Sequence, residues 1–157
     1  MSPSSDSFLT GYLPYLLRQA DQTLSAPFYA VLTRYGVARS EWRVLAVLQE
    51  LGELSVADLA VHALSPQPTV THAVRRLEQQ NLVIRTLGTH DKRQRFVSMT
   101  PTGATLTTSL MAEAKRLETD LLANAGDLSS LVQQLTDLLV AVESQSTPES
   151  PEATHAG

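Results

Sequence analysis

Residues 65–95 read SPQPTVTHAVRRLEQQNLVIRTLGTHDKRQR, and their hydrophobic periodicity changes once, close to Leu82. Up to Leu77, the apolar residues Val70, Ala73, Val74 and Leu77 recur at steps of three and four, the spacing of one buried helix face. Ser65 is a suitable N-cap and Pro66 a suitable first helical residue, where its missing N–H costs nothing. Pro68 still falls within the first turn. The opposite face carries Gln67, Thr69, Thr71, His72, Arg75 and Arg76. These side chains can donate to base edges and phosphates, and the threonine methyls can pack on thymine. Taken alone, such a face is better explained by solvation of an amphipathic helix.

The following residues change that balance. Two β-rich runs, Leu82–Thr86 and Arg95–Met99, flank a loop containing Gly88, His90, Asp91, Lys92 and Arg93, the pattern of a hairpin. Lys92, Arg93 and Arg95 give it a basic tip suited to phosphate or minor-groove contact. Asp91 is expected to hold the Arg93 guanidinium by a charge-assisted hydrogen bond. A polar-faced helix leading directly into a basic hairpin is the sequence order of a winged helix.

LEQQNLVIR (77–85) and HDKRQRFVSMTPTG (90–103) resemble the MarR family of bacterial winged helix-turn-helix regulators. The matching features are the LE-x-x-x-LV end of the recognition helix, the D-x-R wing (Asp91, Arg93) and the V-x-x-T-x-x-G exit (Val97, Thr100, Gly103). The order of elements matches from residue 8 to residue 143. One departure is that His72 follows the recognition-helix Thr71, where many members carry arginine.

The formal net charge of the 157-residue chain is −4, which by itself argues against a nucleic-acid partner. Its distribution argues the other way. Residues 65–95 hold six basic and two acidic side chains, a local charge of +4, which leaves −8 for the remainder. A concentrated positive segment in an acidic chain focuses field on one surface. The absence of cysteine excludes disulfides, thiolate-bound metal and thiol-based peroxide sensing. The N-terminus lacks a basic region followed by an apolar core, and no apolar run approaches a membrane span, so a cytoplasmic protein without membrane contact is expected.

The expected fold is mainly α with a small β-hairpin wing (α+β), a winged helix-turn-helix with long terminal dimerisation helices. Residues 1–7 form a mobile N-terminus. Residues 8–35 and 101–143 supply the dimerisation helices, 36–100 the winged helix-turn-helix, and 144–157 a disordered tail. The first long helix carries Leu17, Ala20, Leu24, Phe28, Val31 and Tyr35 at helical spacing, with an interruption expected at Pro27 and a stop at Gly36. Ser40 is expected to cap a second helix that buries Trp42, Leu45, Leu48 and Leu51. Ser55 and Asp58 form a capping-box arrangement opening a third. Thr100-Pro101 opens a long helix with Leu106, Leu110, Ala114, Leu117 and Leu121 on one face, and Asp127 caps a last helix lined by Leu128, Leu131, Leu135, Leu138 and Val142.

The apolar stripes of the terminal helices need a partner, and the family resemblance supplies one: a second copy of the chain. A two-fold dimer sets two recognition helices about 34–36 Å apart on one face of a pseudo-palindromic double-stranded DNA operator. The resemblance also implies a small, often aromatic and anionic, effector bound near the junction of the dimerisation helices and the winged domain. There Arg18 and Arg43 are candidates to pair a carboxylate, Tyr15 and Trp42 to stack on a ring, and His62 to assist.

No catalytic constellation competes with this reading. The four histidines are scattered, with no H-E-x-x-H, no G-x-S-x-G and no glycine-rich phosphate loop, so neither an enzyme nor a cofactor is expected. The alternative is a winged helix used only for protein contacts, which has no need of the basic segment. The reading is therefore a homodimeric transcriptional regulator, a repressor of nearby genes released by a small ligand.

Overall fold

A computed structural model of the chain describes residues 8–146. The elements run α1 (Phe8–Gly11), α2 (Leu13–Arg34), α3 (Arg39–Leu51), β1 (Leu54–Ser55), α4 (Val56–His62), α5 (Gln67–Gln79), β2 (Val83–Leu87), β3 (Arg95–Met99), α6 (Pro101–Leu122) and α7 (Ser129–Ser146). Residues 1–7 and 147–157, which include most of the tail expected to be disordered, lie outside the described residues. The start of that tail is helical, because α7 continues through Ser144 to Ser146.

The core gathers one face from each of several helices. Phe28, Val31 and Leu32 of α2 meet Val44, Leu45 and Leu48 of α3, Leu59 of α4, and Val70, Ala73, Val74 and Leu77 of α5. Val83, Val97 and Leu110 close it from the sheet and from α6. Burial decides α5. Its sequence QPTVTHAVRRLEQ is rich in residues that cost up to about 0.7 kcal/mol each in helical propensity. Its large buried side chains return about 1.5–3 kcal/mol apiece.

Three helices leave the core through the same turn. At the end of α2, Val37 N–H donates to Leu32 C=O and Gly36 N–H to Thr33 C=O, with Gly36 at φ +68°. The same pair of bonds joins Ser65 to Ala60 and Leu64 to Val61 after α4, and Leu82 to Leu77 and Asn81 to Glu78 after α5. These are Schellman turns, which require a left-handed residue after the C-cap. Glycine serves that position after α2, whereas Leu64 (φ +51°) and Asn81 (φ +58°) serve it on either side of α5. The helix-turn-helix corner and the turn into the wing are thus the same motif used twice.

Several expected boundaries move. α5 begins at Gln67 with Pro66 as its N-cap, and Ser65 Oγ instead donates to the Ala63 carbonyl (3.0 Å). α3 begins at Arg39, ahead of Ser40, because the Glu41 carboxylate accepts the Ala38 N–H (2.9 Å) and so satisfies an orphan donor of the first turn. Within α3, Trp42 is only half-buried, edge-on to Phe28 with ring centroids 4.9 Å apart, and Leu51 is exposed in the last turn. α2 passes through Pro27 without breaking, since the buried residues immediately after it anchor the chain on the core. Asp127 lies one residue further out than an N-cap and accepts the Ser129 N–H (2.9 Å) at the start of α7; that bond and the Ser129 hydroxyl hold its carboxyl below the usual range.

A third strand joins the hairpin. β3 lies between β2 and β1, antiparallel to both, with Arg85 opposite Val97 on one side and Leu54 opposite Val97 on the other. Two residues are too few to show period-two alternation, which is why β1 is invisible in the pattern. Thr100 locks the base of the wing: its Oγ1 donates to Asn81 C=O (2.8 Å) and accepts the Gly103 N–H (3.0 Å). Gly103 packs so closely that a Cβ there would lie 2.0 Å from the Leu82 carbonyl oxygen. The T-x-x-G exit is therefore a packing requirement where α6 crosses the start of β2.

The described residues divide into two compact units, with the boundary between Leu121 and Leu122. In the first, the apolar residues of α1 and the N-terminal half of α2, among them Phe8, Leu13, Leu16, Leu17 and Leu24, are all exposed. In the second, none of residues 129–145 of α7 is buried, and Leu131, Val132, Leu138, Leu139, Val140 and Val142 are exposed.

Candidate nucleic-acid interface

α5 presents Gln67, Thr69, His72, Arg75 and Arg76 as exposed residues, with Thr71 half-buried. The Thr71 hydroxyl donates to the Gln67 carbonyl (2.9 Å), which leaves its lone pairs and methyl for a ligand. Gln67, Thr71, His72 and Arg75, with Pro68, line a shallow open face along the helix.

A second depression connects the helix to the wing. Gln67 and Thr71 of α5 share it with Arg93, Gln94 and Arg95 of the hairpin, Arg85 of β2 and residues 55–57 at the start of α4. The fold therefore brings together Gln67, Thr71, Arg93 and Arg95, which the sequence had placed on two separate elements. Asp91 and Lys92 are exposed at the tip.

The wing turn is built differently from the expectation. Asp91 Oδ1 accepts the backbone N–H of Arg93 (2.9 Å), and the Asp91 carbonyl accepts the Gln94 N–H (3.0 Å). The carboxylate shapes the loop rather than gripping the Arg93 guanidinium, because a side-chain oxygen two residues before an N–H in a tight bend meets that N–H first. Gly88 seals the loop: its N–H donates to Gln94 C=O (2.9 Å), and a Cβ there would come within 2.6 Å of the Asp91 carbonyl oxygen.

The basic residues fall into two groups. Arg76 Nε lies 2.6 Å from Glu41 Oε1, across from α5 to α3, so Arg76 ties the recognition helix to its scaffold. Arg85 pairs with Glu78 through both Nε (2.9 Å) and Nη2 (2.5 Å), and that guanidinium holds the Glu78 carboxyl below its ordinary range. Among the described residues, the side chains of Arg75, Lys92, Arg93 and Arg95 have no carboxylate partner within ion-pairing distance. Four uncompensated cations thus lie on α5 and the wing. Sequence reasoning missed Arg85 and Gln94 as lining residues; the signal available was Arg85 on the strand facing the Arg95 run.

The five residues considered for a ligand do not converge. Arg18 and Arg43 line one groove between α2 and α3, together with Asp21, Gln22, Ala26, Tyr29 and Arg39. Tyr15, Trp42 and His62 do not line it. No group of three or more potential metal ligands occurs among the described residues, and none of their helices is long and apolar enough to cross a membrane.

A helix-turn-helix followed by a β-hairpin wing that pairs with a short strand from before it, with unpaired cations on helix and wing, defines a winged helix-turn-helix DNA-binding protein. Residues 35–94 match the model of the MarR family. A MarR family transcriptional regulator from Silicibacter pomeroyi DSS-3, SPO1453, is 34% identical over 85% of this chain and 99% of that one, with a TM-score of 0.72. The homoprotocatechuate degradative operon repressor of Escherichia coli is 28% identical over 81% of this chain and 84% of that protein. NadR, solved in complex with 4-hydroxyphenylacetate, is 27% identical over 90% of this chain and 97% of that one, with a TM-score of 0.72. The chain belongs to the MarR family: it is a transcriptional regulator and not an enzyme.

Proposed function

We propose that the chain acts as a homodimeric repressor that binds a pseudo-palindromic operator near its own gene and is released by a small aromatic acid. The observation that carries the DNA part is the set of four unpaired cations, Arg75, Lys92, Arg93 and Arg95, adjoining exposed Gln67, Thr69 and His72 on one helix. In this reading Gln67, Thr69, Thr71, His72 and Arg75 meet base edges and nearby phosphates. Arg93, with Lys92 and Arg95, meets the backbone beside the groove, and Asp91 sets the loop that carries them. Arg76 contributes to the backbone only through whatever its Glu41 pairing leaves available. A module for protein contacts alone has no use for four unneutralised cations beside a donor-rich helix.

Dimerisation is supported by the apolar residues exposed on α1, the first half of α2 and α7. Such surface is too extensive to leave wet in a monomer, and symmetric dimers are the commonest solution. The aromatic acid is supported by the relatives: one is named a homoprotocatechuate degradative operon repressor and another was solved with 4-hydroxyphenylacetate.

Sedimentation together with fluorescence anisotropy tests this reading. The expected results are a mass twice the 17.1 kDa of one chain and preferential binding to the DNA flanking its gene over unrelated DNA. Addition of 4-hydroxyphenylacetate or 3,4-dihydroxyphenylacetate should reduce that binding. A monomer that binds all DNA equally weakly would overturn it.

A further inference from the structure

Arg76 stands one helical turn after His72 on α5, next to the unpaired Arg75, yet it lines neither of the two open faces described above. Its side chain is half exposed, so solvent reaches it, as a phosphate would. What holds it is a single carboxylate. The Glu41 side chain of α3 is fully buried; Oε2 accepts the Ala38 N–H (2.9 Å) and Oε1 accepts the Arg76 Nε–H (2.6 Å). Among the described residues, Arg76 is the one cation within ion-pairing distance of Glu41. A buried carboxylate stripped of its cation is strongly unfavourable. An exposed guanidinium–phosphate pair forms in high dielectric and gains far less. The balance keeps Arg76 on Glu41 when DNA is bound.

The consequence concerns specificity. Contacts to phosphate position a protein on the duplex but carry no sequence information, and each one strengthens binding to any DNA. Arg75, Lys92, Arg93 and Arg95 already supply four such charges. A fifth on α5 would help most on unrelated DNA. There no base contact fixes the register, and the helix is free to shift until the guanidinium meets a phosphate.

We propose that Glu41 is a specificity-determining residue: it withholds the Arg76 charge from the DNA backbone and so limits binding to unrelated sequence. The proposal rests on the DNA-binding reading above and assigns a role in it to a buried side chain of α3. The variant E41Q isolates the charge, because it keeps the shape of the side chain. The glutamine oxygen still accepts the Ala38 N–H, which turns the amide NH2 toward the guanidinium, donor against donor, and Arg76 is released.

The test is fluorescence anisotropy of the full-length protein at several salt concentrations, with folding of each variant checked by circular dichroism. Two duplexes of equal length are used, one flanking the gene and one unrelated. Wild type, E41Q and E41Q/R76Q are compared. On unrelated DNA the log–log salt slope of E41Q should be steeper than wild type by about 0.9, which is about eightfold tighter binding at 0.1 M salt. The preference for flanking DNA should fall, and E41Q/R76Q should return the slope to the wild-type value. An E41Q slope equal to wild type overturns the proposal. So does a double variant shallower than wild type by one contact, which would mean that Arg76 already meets phosphate; this comparison decides even if E41Q alone fails to fold. An equal gain on both duplexes would keep the withheld charge and overturn its role in specificity. A wild type that binds neither duplex at low salt would sink the DNA-binding reading itself, and the proposal with it.

Discussion

Arg76 Nε and Glu41 Oε1 lie 2.6 Å apart, joining the recognition helix α5 to α3, with the glutamate fully buried and the arginine side chain half exposed. Arg75, the preceding residue, has no such partner. Two adjacent arginines on one helix therefore have separable roles. Arg76→Ala should lower stability by about 2 kcal/mol, less than the cost of breaking a fully buried pair, because water reaches the arginine side. Arg75→Ala should leave the melting temperature unchanged and weaken DNA binding. Thermal denaturation and anisotropy on the two variants check this; equal melting losses would contradict it.

Gly103→Ala should be among the most damaging single-atom changes in the chain. The new Cβ would sit 2.0 Å from the Leu82 carbonyl oxygen and 2.8 Å from Met99 Cγ, and that carbonyl is backbone held by a Thr100 hydrogen bond. A loss of about 3 kcal/mol is expected, read as a lower urea midpoint at unchanged slope.

Leu64→Gly should stabilise the protein. Leu64 holds φ +51° at the helix-turn-helix corner while its side chain is 87% exposed, so it pays left-handed strain with little burial in return. Relief of roughly 1–2 kcal/mol, less the entropy glycine loses on folding, leaves a gain of about 0.5–1 kcal/mol. A fall in the denaturation midpoint would show that the leucine makes a contact in solution.

Much of this architecture was legible in the residues and some was not, for identifiable reasons. Val70, Ala73, Val74 and Leu77 announced the buried face of α5 because burial repeats with the helix. The hairpin and the Thr100 cap were equally plain, since turn residues and caps act locally. Glu41–Arg76 spans 35 positions and joins two helices, so no local pattern reports it. The stripe containing Leu17 and Leu24 marked an apolar face, but a stripe does not say what covers it; among the described residues both leucines are exposed. Asp91 was matched to the wrong group of Arg93, because a sequence gives proximity and not the direction of an N–H.

The Glu78–Arg85 pair makes stability depend on pH in a stated direction. Arg85 holds the Glu78 carboxyl below its ordinary value of 4.5, so the folded state binds that proton less readily than the unfolded chain. The pair's contribution is full above that value and is lost as pH falls through the lower folded one. Wild type should exceed Glu78→Gln in stability by a small margin at neutral pH, the pair being partly exposed. That margin should shrink as pH falls below 4.5 and through the lower folded value. A difference that persists unchanged into acid would assign it to something other than ionisation.

The central claim is that α5 and the wing together hold DNA. Its most direct test is the salt dependence of binding to the DNA flanking the gene, measured by fluorescence anisotropy for wild type and for R93A/R95A. The account predicts specific binding by the wild type, weaker binding by the variant, and a log–log salt slope shallower by about 1.8, the loss of two phosphate contacts at roughly 0.9 each. Identical affinity and slope for the two proteins, or a wild type that does not distinguish the flanking DNA from unrelated sequence, would contradict it.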